Sequence, residues 1–495
     1  MIKSLFKDII KYIPSKIIPA IVAFISIPII TRLFSPADYG DYILVLSTFT
    51  ILTTLVGWIS MSIIRFYPLY KKNKKIDIFY GTVLKCLFVS ISGISILVLI
   101  ILLASKNHIS QNIYNLMWVG LGGFILLSIF QTLLNLLRAK RLVGWYSVFS
   151  SWQSIGVYII GLGLILGLNF GIGGLLWGVI LSISIIIPWI WKKALGKFFL
   201  FKNKFSFHLS RKMAIYSLPL VMGNLAAWLL SLSDRYVLNF FKGSQEVGIY
   251  SASYMIGEKS IILLTSLFLL ASRPIVIKIW ENEGKAKTQQ FLNNITRYFL
   301  IICLPATIGL CILSKPIINI LVAHEYIEGY QILSFIVFGG FFLGLSQRFN
   351  TVLCLYKKTK YIMWSLLMGG LINLVLNFIF IPKYGYIAAA VTTLIGYIVM
   401  LLAMIYFSRK FFTWKFPFKT LTKCTLASVT MGTGIYFLIN ALNFSTIINL
   451  IIVILFGVIL YFSLIYLFKE IQPKEKKIII NFIKRKIVSK NVRTN

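Results

Sequence analysis

Carboxylates are scarce in this chain: 13 Asp and Glu stand against 50 Lys and Arg in 495 residues. Only 13% of the residues are charged and 58% are hydrophobic, whereas a water-soluble domain carries about 25% charge. An ordinary soluble globule is excluded. Histidine is rarer still, and His108, His208 and His324 fall in different gaps on both sides of the membrane, too scattered for a shared zinc site. Cys86, Cys303, Cys311, Cys354 and Cys424 lie in or near apolar runs without C-x-x-C spacing, so they read as membrane-buried thiols and not as a disulfide frame. No gap between apolar runs is long enough for a soluble catalytic domain. The short outer gaps offer Glu325 and Glu328 as the nearest acidic pair, which argues against a glycan polymerase or membrane glycosyltransferase. The first apolar run carries Pro14, Pro19 and Pro28 and has no small-residue cleavage site before Arg32, so it is expected to be retained.

What the chain does have is apolar runs of membrane length, about 20 residues each. Fourteen are expected, near 12–31, 42–66, 78–104, 115–137, 145–168, 172–191, 213–241, 248–272, 296–314, 330–356, 361–381, 385–407, 420–440 and 446–468. The fold class is all-α, a polytopic membrane protein. Basic residues collect in every second gap: the N-terminus, the even gaps and the tail hold 37 of the 50, while the odd gaps are balanced by Asp38, Asp41, Glu246, Glu325 and Glu328. By the positive-inside rule both termini and the even gaps face the cytoplasm. The net charge of +37 is spread over short loops, which favours anionic membrane lipids as partners and argues against nucleic acid.

Three correspondences join the first six segments with segments 7 to 12. Asp38-Tyr39-Gly40-Asp41-Tyr42 matches Glu246-Val247-Gly248-Ile249-Tyr250 as acidic-x-Gly-x-Tyr; Lys140 and Arg141 before Trp145 match Lys358 and Lys360 before Trp364; Gly171-Ile172-Gly173-Gly174 matches Gly385-Tyr386-Ile387-Ala388. Two parallel six-helix bundles are expected, with two added C-terminal helices. The implied divisions are 1–196, a cytoplasmic interfacial linker at 197–212, a second half at 213–410, helices 13 and 14 within 411–468, and a basic tail at 469–495. Transporters that work by alternating access are built from such repeats. Glycine in each acidic-x-Gly-x-Tyr motif is expected to let the chain turn tightly, with tyrosine anchoring the next helix.

Charges at membrane depth are costly and therefore informative. The cations are Lys16, Arg65, Lys85, Arg235, Lys259, Arg297, Arg348 and Lys423, against Asp234 and Glu258. Arg65, Lys85, Arg297 and Lys423 lie near cytoplasmic helix ends, where long side chains snorkel to headgroups. Asp234-Arg235 and Glu258-Lys259 sit at similar depth on adjacent segments. Neighbours on a helix point apart, so Asp234 with Lys259, or Arg235 with Glu258, are the expected pairs, as a structural tie or as a charged gate or coupling site. Asn224, Asn373, Asn377 and the Gln347-Arg348-Asn350 patch supply amides for helix contacts or for a sugar-binding wall. No cofactor or metal is implied, and proton or sodium coupling stays open.

Ile27-Pro28 through Thr31-Arg32-Leu33-Phe34-Ser35-Pro36 into Asp38-Tyr39-Gly40, and Ser217-Leu218-Pro219 through Ser233-Asp234-Arg235 to Val247-Gly248-Ile249-Tyr250, resemble the Wzx-type flippases, polysaccharide transporters of the MOP exporter superfamily. The resemblance implies two six-helix bundles around a cationic cavity in the bacterial cytoplasmic membrane. It implies transport of an undecaprenyl-diphosphate-linked oligosaccharide, such as an O-antigen or capsule unit, alongside a glycan polymerase and chain-length machinery. It marks Asp234 and Arg235 as functional candidates. The peptidoglycan-precursor branch has an Arg-rich first helix, whereas this one offers only Lys16, with Arg32 at its edge; that argues against lipid II. A diphosphate needs cations in a low-dielectric cavity, a role assigned to Arg65, Arg348 or Lys16. The nearest rival is a cation-coupled drug exporter of the same superfamily, which would need membrane carboxylates free of adjacent bases.

Overall fold

The computed structural model describes residues 14–196, 204–441, 447–470 and 475. Among them no strand occurs. The helices are α1 (Pro14–Leu33), α2 (Pro36–Val56), α3 (Trp58–Lys72), α4 (Ile76–Ser105), α5 (Gln111–Ala139), α6 (Val143–Leu168), α7 (Gly173–Ala194) and α8 (Phe207–Leu232). They continue with α9 (Asp234–Lys242), α10 (Ser244–Asn282), α11 (Gly284–Ile312), α12 (Ser314–Leu321), α13 (Tyr330–Leu355), α14 (Thr359–Arg409), α15 (Phe418–Ala441) and α16 (Ile447–Leu467). Ten continuous spans among the described residues are long and apolar enough to cross a membrane. α14 contains two expected segments, joined at a kink where Gly385 adopts φ 56°. The first part of the linker, positions 197–203, and most of the basic tail lie outside the described residues.

The chain forms two compact units, Met1–Leu263 with Leu321–Phe412, and Leu264–Ile320 with Thr413–Asn495. In the first, a core of Leu44, Val237, Leu238, Val247, Tyr250, Ile332 and Ala388 to Ala390 joins α2, α9, α10, α13 and α14. Lipid is as apolar as these side chains, so close approach through small residues has to hold the helices together. α2 begins with Ser35 as cap, accepting the Asp38 N–H at 3.3 Å, and Pro36 at its first position. α5 and α8 start alike, Ser110 accepting from Ile113 N–H and Ser206 from Leu209 N–H.

The internal repeat is visible in the backbone. Gly171 and Gly385 share φ values of 55° and 56°. At the basic gaps Arg141 and Lys357 are both left-handed, at φ 60° and 56°. Leu142 N–H bonds Leu137 C=O while Lys358 N–H bonds Leu353 C=O, the same helix-closing pattern. Lys74 and Lys469 close α3 and α16 in the same way.

The second unit packs α11 with α15 and α16. At its basic end Arg297 donates to Glu470 at 2.9 Å and to Glu475 at 2.6 Å. Thr420 donates to the Glu470 carboxylate at 2.6 Å, and Lys423 approaches it to 3.3 Å. This corrects the snorkelling expected for Arg297 and Lys423: both are held by carboxylates that return from beyond α16. Burial pushes the Glu470 carboxyl up, but hydrogen bonds from Thr420, Arg297 and Lys423 outweigh it and hold the group below its usual range.

Candidate functional site

Tyr39, Tyr42 and Tyr250 of the two acidic-x-Gly-x-Tyr motifs are buried, and the two glycines face each other. A Cβ on Gly40 would lie 1.9 Å from the Ser244 carbonyl oxygen, and one on Gly248 would lie 1.9 Å from that of Pro36. Both glycines sit inside helices, so the expected tight turn is corrected: their job is close contact between α2 and α10. Around them Asp41 accepts from Ser244 Oγ and, at 2.7 Å, from Asn112 Nδ2. Tyr236 and Thr48 share a hydroxyl hydrogen bond at 2.8 Å, and Trp228 donates to the Ser47 carbonyl at 3.2 Å. The halves of the repeat are thus sealed against each other on the charge-poor side.

One helix away lies a buried polar network. The seventh apolar run breaks at Ser233, and α9 opens with Asp234, which is 0% exposed. Its carboxylate takes the backbone N–H of Arg235 and the Arg235 guanidinium, each at 2.9 Å. The guanidinium also donates to the Ser231 carbonyl at 2.8 Å and lies over the rings of Tyr254 and Tyr250, at 4.7 and 5.4 Å. The expected cross-helix ion pairs are therefore wrong. At the helix break a short carboxylate reaches the next residue, and two tyrosines pin the guanidinium there. Glu258 and Lys259 likewise approach each other, at 3.7 Å, and are partly exposed.

The other Asp234 oxygen accepts from Tyr250 and from Thr393, the latter at 3.2 Å. From Thr393 the chain of polar groups runs to Asn373 Nδ2 at 3.2 Å, and Asn377 Nδ2 donates onward to Asn373 Oδ1 at 3.2 Å. Thr392 donates to Asn377, and the Tyr254 and Tyr397 hydroxyls meet at 3.3 Å. Asp234, Arg235, Asn373 and Asn377 are thus brought together, as four elements of one buried cluster. Sequence reasoning missed Tyr254, Thr392, Thr393 and Tyr397, and took Tyr250 for an interfacial anchor, whereas it is fully buried. Their signal was only that hydroxyls fall one turn apart, Tyr250 with Tyr254 and Thr393 with Tyr397.

The remaining candidates lie elsewhere. Arg348 is 1% exposed in α13, enclosed among helices. Arg65 on α3 and Asn224 on α8 are exposed. Lys16 lies in α1, but its side chain is outside the described set. Among the described residues no cluster of His, Cys, Asp and Glu could hold a metal ion.

Comparison with known proteins adds a family and a fold. A profile described as polysaccharide biosynthesis protein matches residues 5–280, and one described as MatE matches residues 219–379. A probable low-salt glycan biosynthesis flippase, Agl15 of Haloferax volcanii, is 21% identical over 62% of this chain and 64% of its own length. The capsular polysaccharide biosynthesis protein CapF of Staphylococcus aureus is 24% identical over 80% of this chain and 98% of its own. Among solved structures, the lipid II flippase MurJ in an inward closed conformation superposes with a TM-score of 0.74 at 21% identity, covering 94% of this chain and 99% of that one. That likeness concerns the fold.

Proposed function

Because the chain belongs to the polysaccharide biosynthesis protein family, whose profile matches residues 5–280, we propose that it is a flippase. Its cargo is an oligosaccharide on a lipid diphosphate, carried across the cytoplasmic membrane with both termini on the cytoplasmic side. The observation that carries the reading is the sealed seam: two repeat-related halves meet through Gly40 and Gly248 on the charge-poor side, while the basic gaps crowd the other. A carrier entering from the basic side would have to part that seam to leave, which is alternating access.

The ion pairs refine the cargo argument. Of the cations at membrane depth, Arg235, Lys259, Arg297 and Lys423 are engaged by carboxylates. The diphosphate role is assigned by position, at membrane depth toward the basic face, to Arg65, Arg348 or Lys16. Asp234, locked to Arg235, offers little to a cationic drug and suits a gate or ion-coupling carboxylate instead. Deletion of the gene, followed by mass spectrometry of lipid-linked glycans, tests the reading. A completed carrier-linked unit should accumulate; glycan export continuing without accumulation would sink it.

A further inference from the structure

Two cavities open on the charge-poor face of the first unit, and the internal repeat builds both. The smaller, about 360 Å³, is lined in part by Phe34, Asp38, Phe170, Gly171, Ile172 and Trp177. The larger, about 590 Å³, is lined in part by Lys242, Glu246, Tyr384, Gly385, Tyr386 and Val391. These are the same positions in the two halves: the first two of each set are 208 apart and the last four 214 apart. In both the chain turns at a left-handed glycine.

The two cavities differ in charge. Lys242 stands where the first half has Phe34, and Lys383 stands where it has Asn169. Both lysines are exposed, and among the described residues neither forms an ion pair. Glu246 is committed to the backbone: its carboxylate accepts the Tyr386 N–H at 2.9 Å and occupies the space a Gly385 side chain would need. Among the residues lining the cavity two lysines stand against the single carboxylate of Glu246, while Glu328, outside the lining, is taken up by the Tyr386 hydroxyl. Behind it Ile387, Val391 and Ile395, successive turns of α14, form an apolar wall. Cations at a membrane surface attract anionic headgroups, and a wall of this kind favours an acyl chain over a soluble phosphate.

We propose that the larger cavity seats one phosphate-bearing lipid from the leaflet at that face. Its phosphate lies between Lys242 and Lys383 and its first methylenes along Ile387, Val391 and Ile395. The smaller cavity is the built-in comparison, the same backbone without the cations.

The purified full-length protein, titrated with palmitoyl-oleoyl-phosphatidylglycerol and read by native mass spectrometry, tests this. One lipid should be retained ahead of all others. Lys242→Gln with Lys383→Gln should weaken that retention roughly thirtyfold, at about tenfold or less per cation, with thermal unfolding unchanged. Ile395→Trp, filling the wall, should displace the same lipid while leaving both lysines in place. Adding Phe34→Lys and Asn169→Lys to the wild type should create a second retained lipid. Equal retention by the lysine variant overturns the proposal, as does equal retention of the matching diacylglycerol. Displacement by millimolar inorganic phosphate alone would show a phosphate site without a lipid and would overturn it too.

Discussion

At the scale of residues, the main surprise is how neighbouring charges are used. Asp234 and Arg235 look like two ends of separate cross-helix bridges, because adjacent helical positions diverge. The break at Ser233 and the rings of Tyr250 and Tyr254 turn them onto each other instead. Charge and packing can be separated at this site. Asp234→Asn should lower glycan export about tenfold or more at normal membrane levels, whereas Tyr250→Phe, which removes one hydrogen bond to the carboxylate worth about 1.5–3 kcal/mol and keeps the charge, should leave export near wild type; quantifying surface glycan against protein abundance decides. Left-handed Arg141 and Lys357 are another residue-level feature, since glycine is the usual occupant of such a helix end. Their charge complements the helix dipole, at a conformational cost of about 1–2 kcal/mol each. Arg141→Gly or Lys357→Gly relieves that cost and loses a dipole interaction of about 0.3–1 kcal/mol, so each should stabilise the protein by up to about 1 kcal/mol, read as a rise in unfolding temperature in detergent.

At the scale of elements, the end of α16 is tied down by charge as well as by apolar packing. Arg297 of α11 gathers Glu470 and Glu475, and Thr420 and Lys423 of α15 complete the clasp. Glu470→Gln leaves Arg297 paired with Glu475 but weakens the charge-assisted hydrogen bonds to Glu470, worth about 1.5–3 kcal/mol, so it should lower the unfolding midpoint while Lys423→Gln, more exposed, should do little. Because the folded Glu470 carboxyl is held below its usual range, the stabilisation is present above that range and is lost only as pH falls through the depressed value. Wild-type stability should then decline below about pH 4 and the Glu470→Gln variant should show less of that decline. Sequence alone does not show the clasp. Glu470 and Glu475 are far along the chain from Arg297, and lysines surround both carboxylates.

At the scale of the whole chain, the proposed transport requires the seam between the repeat halves to open. Asp41→Cys paired with Ser244→Cys replaces a hydrogen-bonded pair by a bond that cannot part. Oxidation should abolish glycan export and reduction should restore it, and export that survives complete cross-linking would contradict alternating access. What could be read from the sequence was what lipid and water impose on any chain. Length and apolarity placed the helices, the alternation of basic gaps gave an orientation, and spaced glycines and tyrosines disclosed the repeat. Asn373, Asn377, Asp234 and Arg235 stood out because polar groups at membrane depth need partners. Which partners they take depended on the tertiary structure, because a hydrogen bond or an ion pair forms between whatever atoms the packing brings within about 3 Å. Only the fold put Gly40 against the backbone of α10 and Gly248 against that of α2, joined Asp234 to Thr393 across 159 positions, and turned one motif repeated in the sequence into two contacts across a single seam.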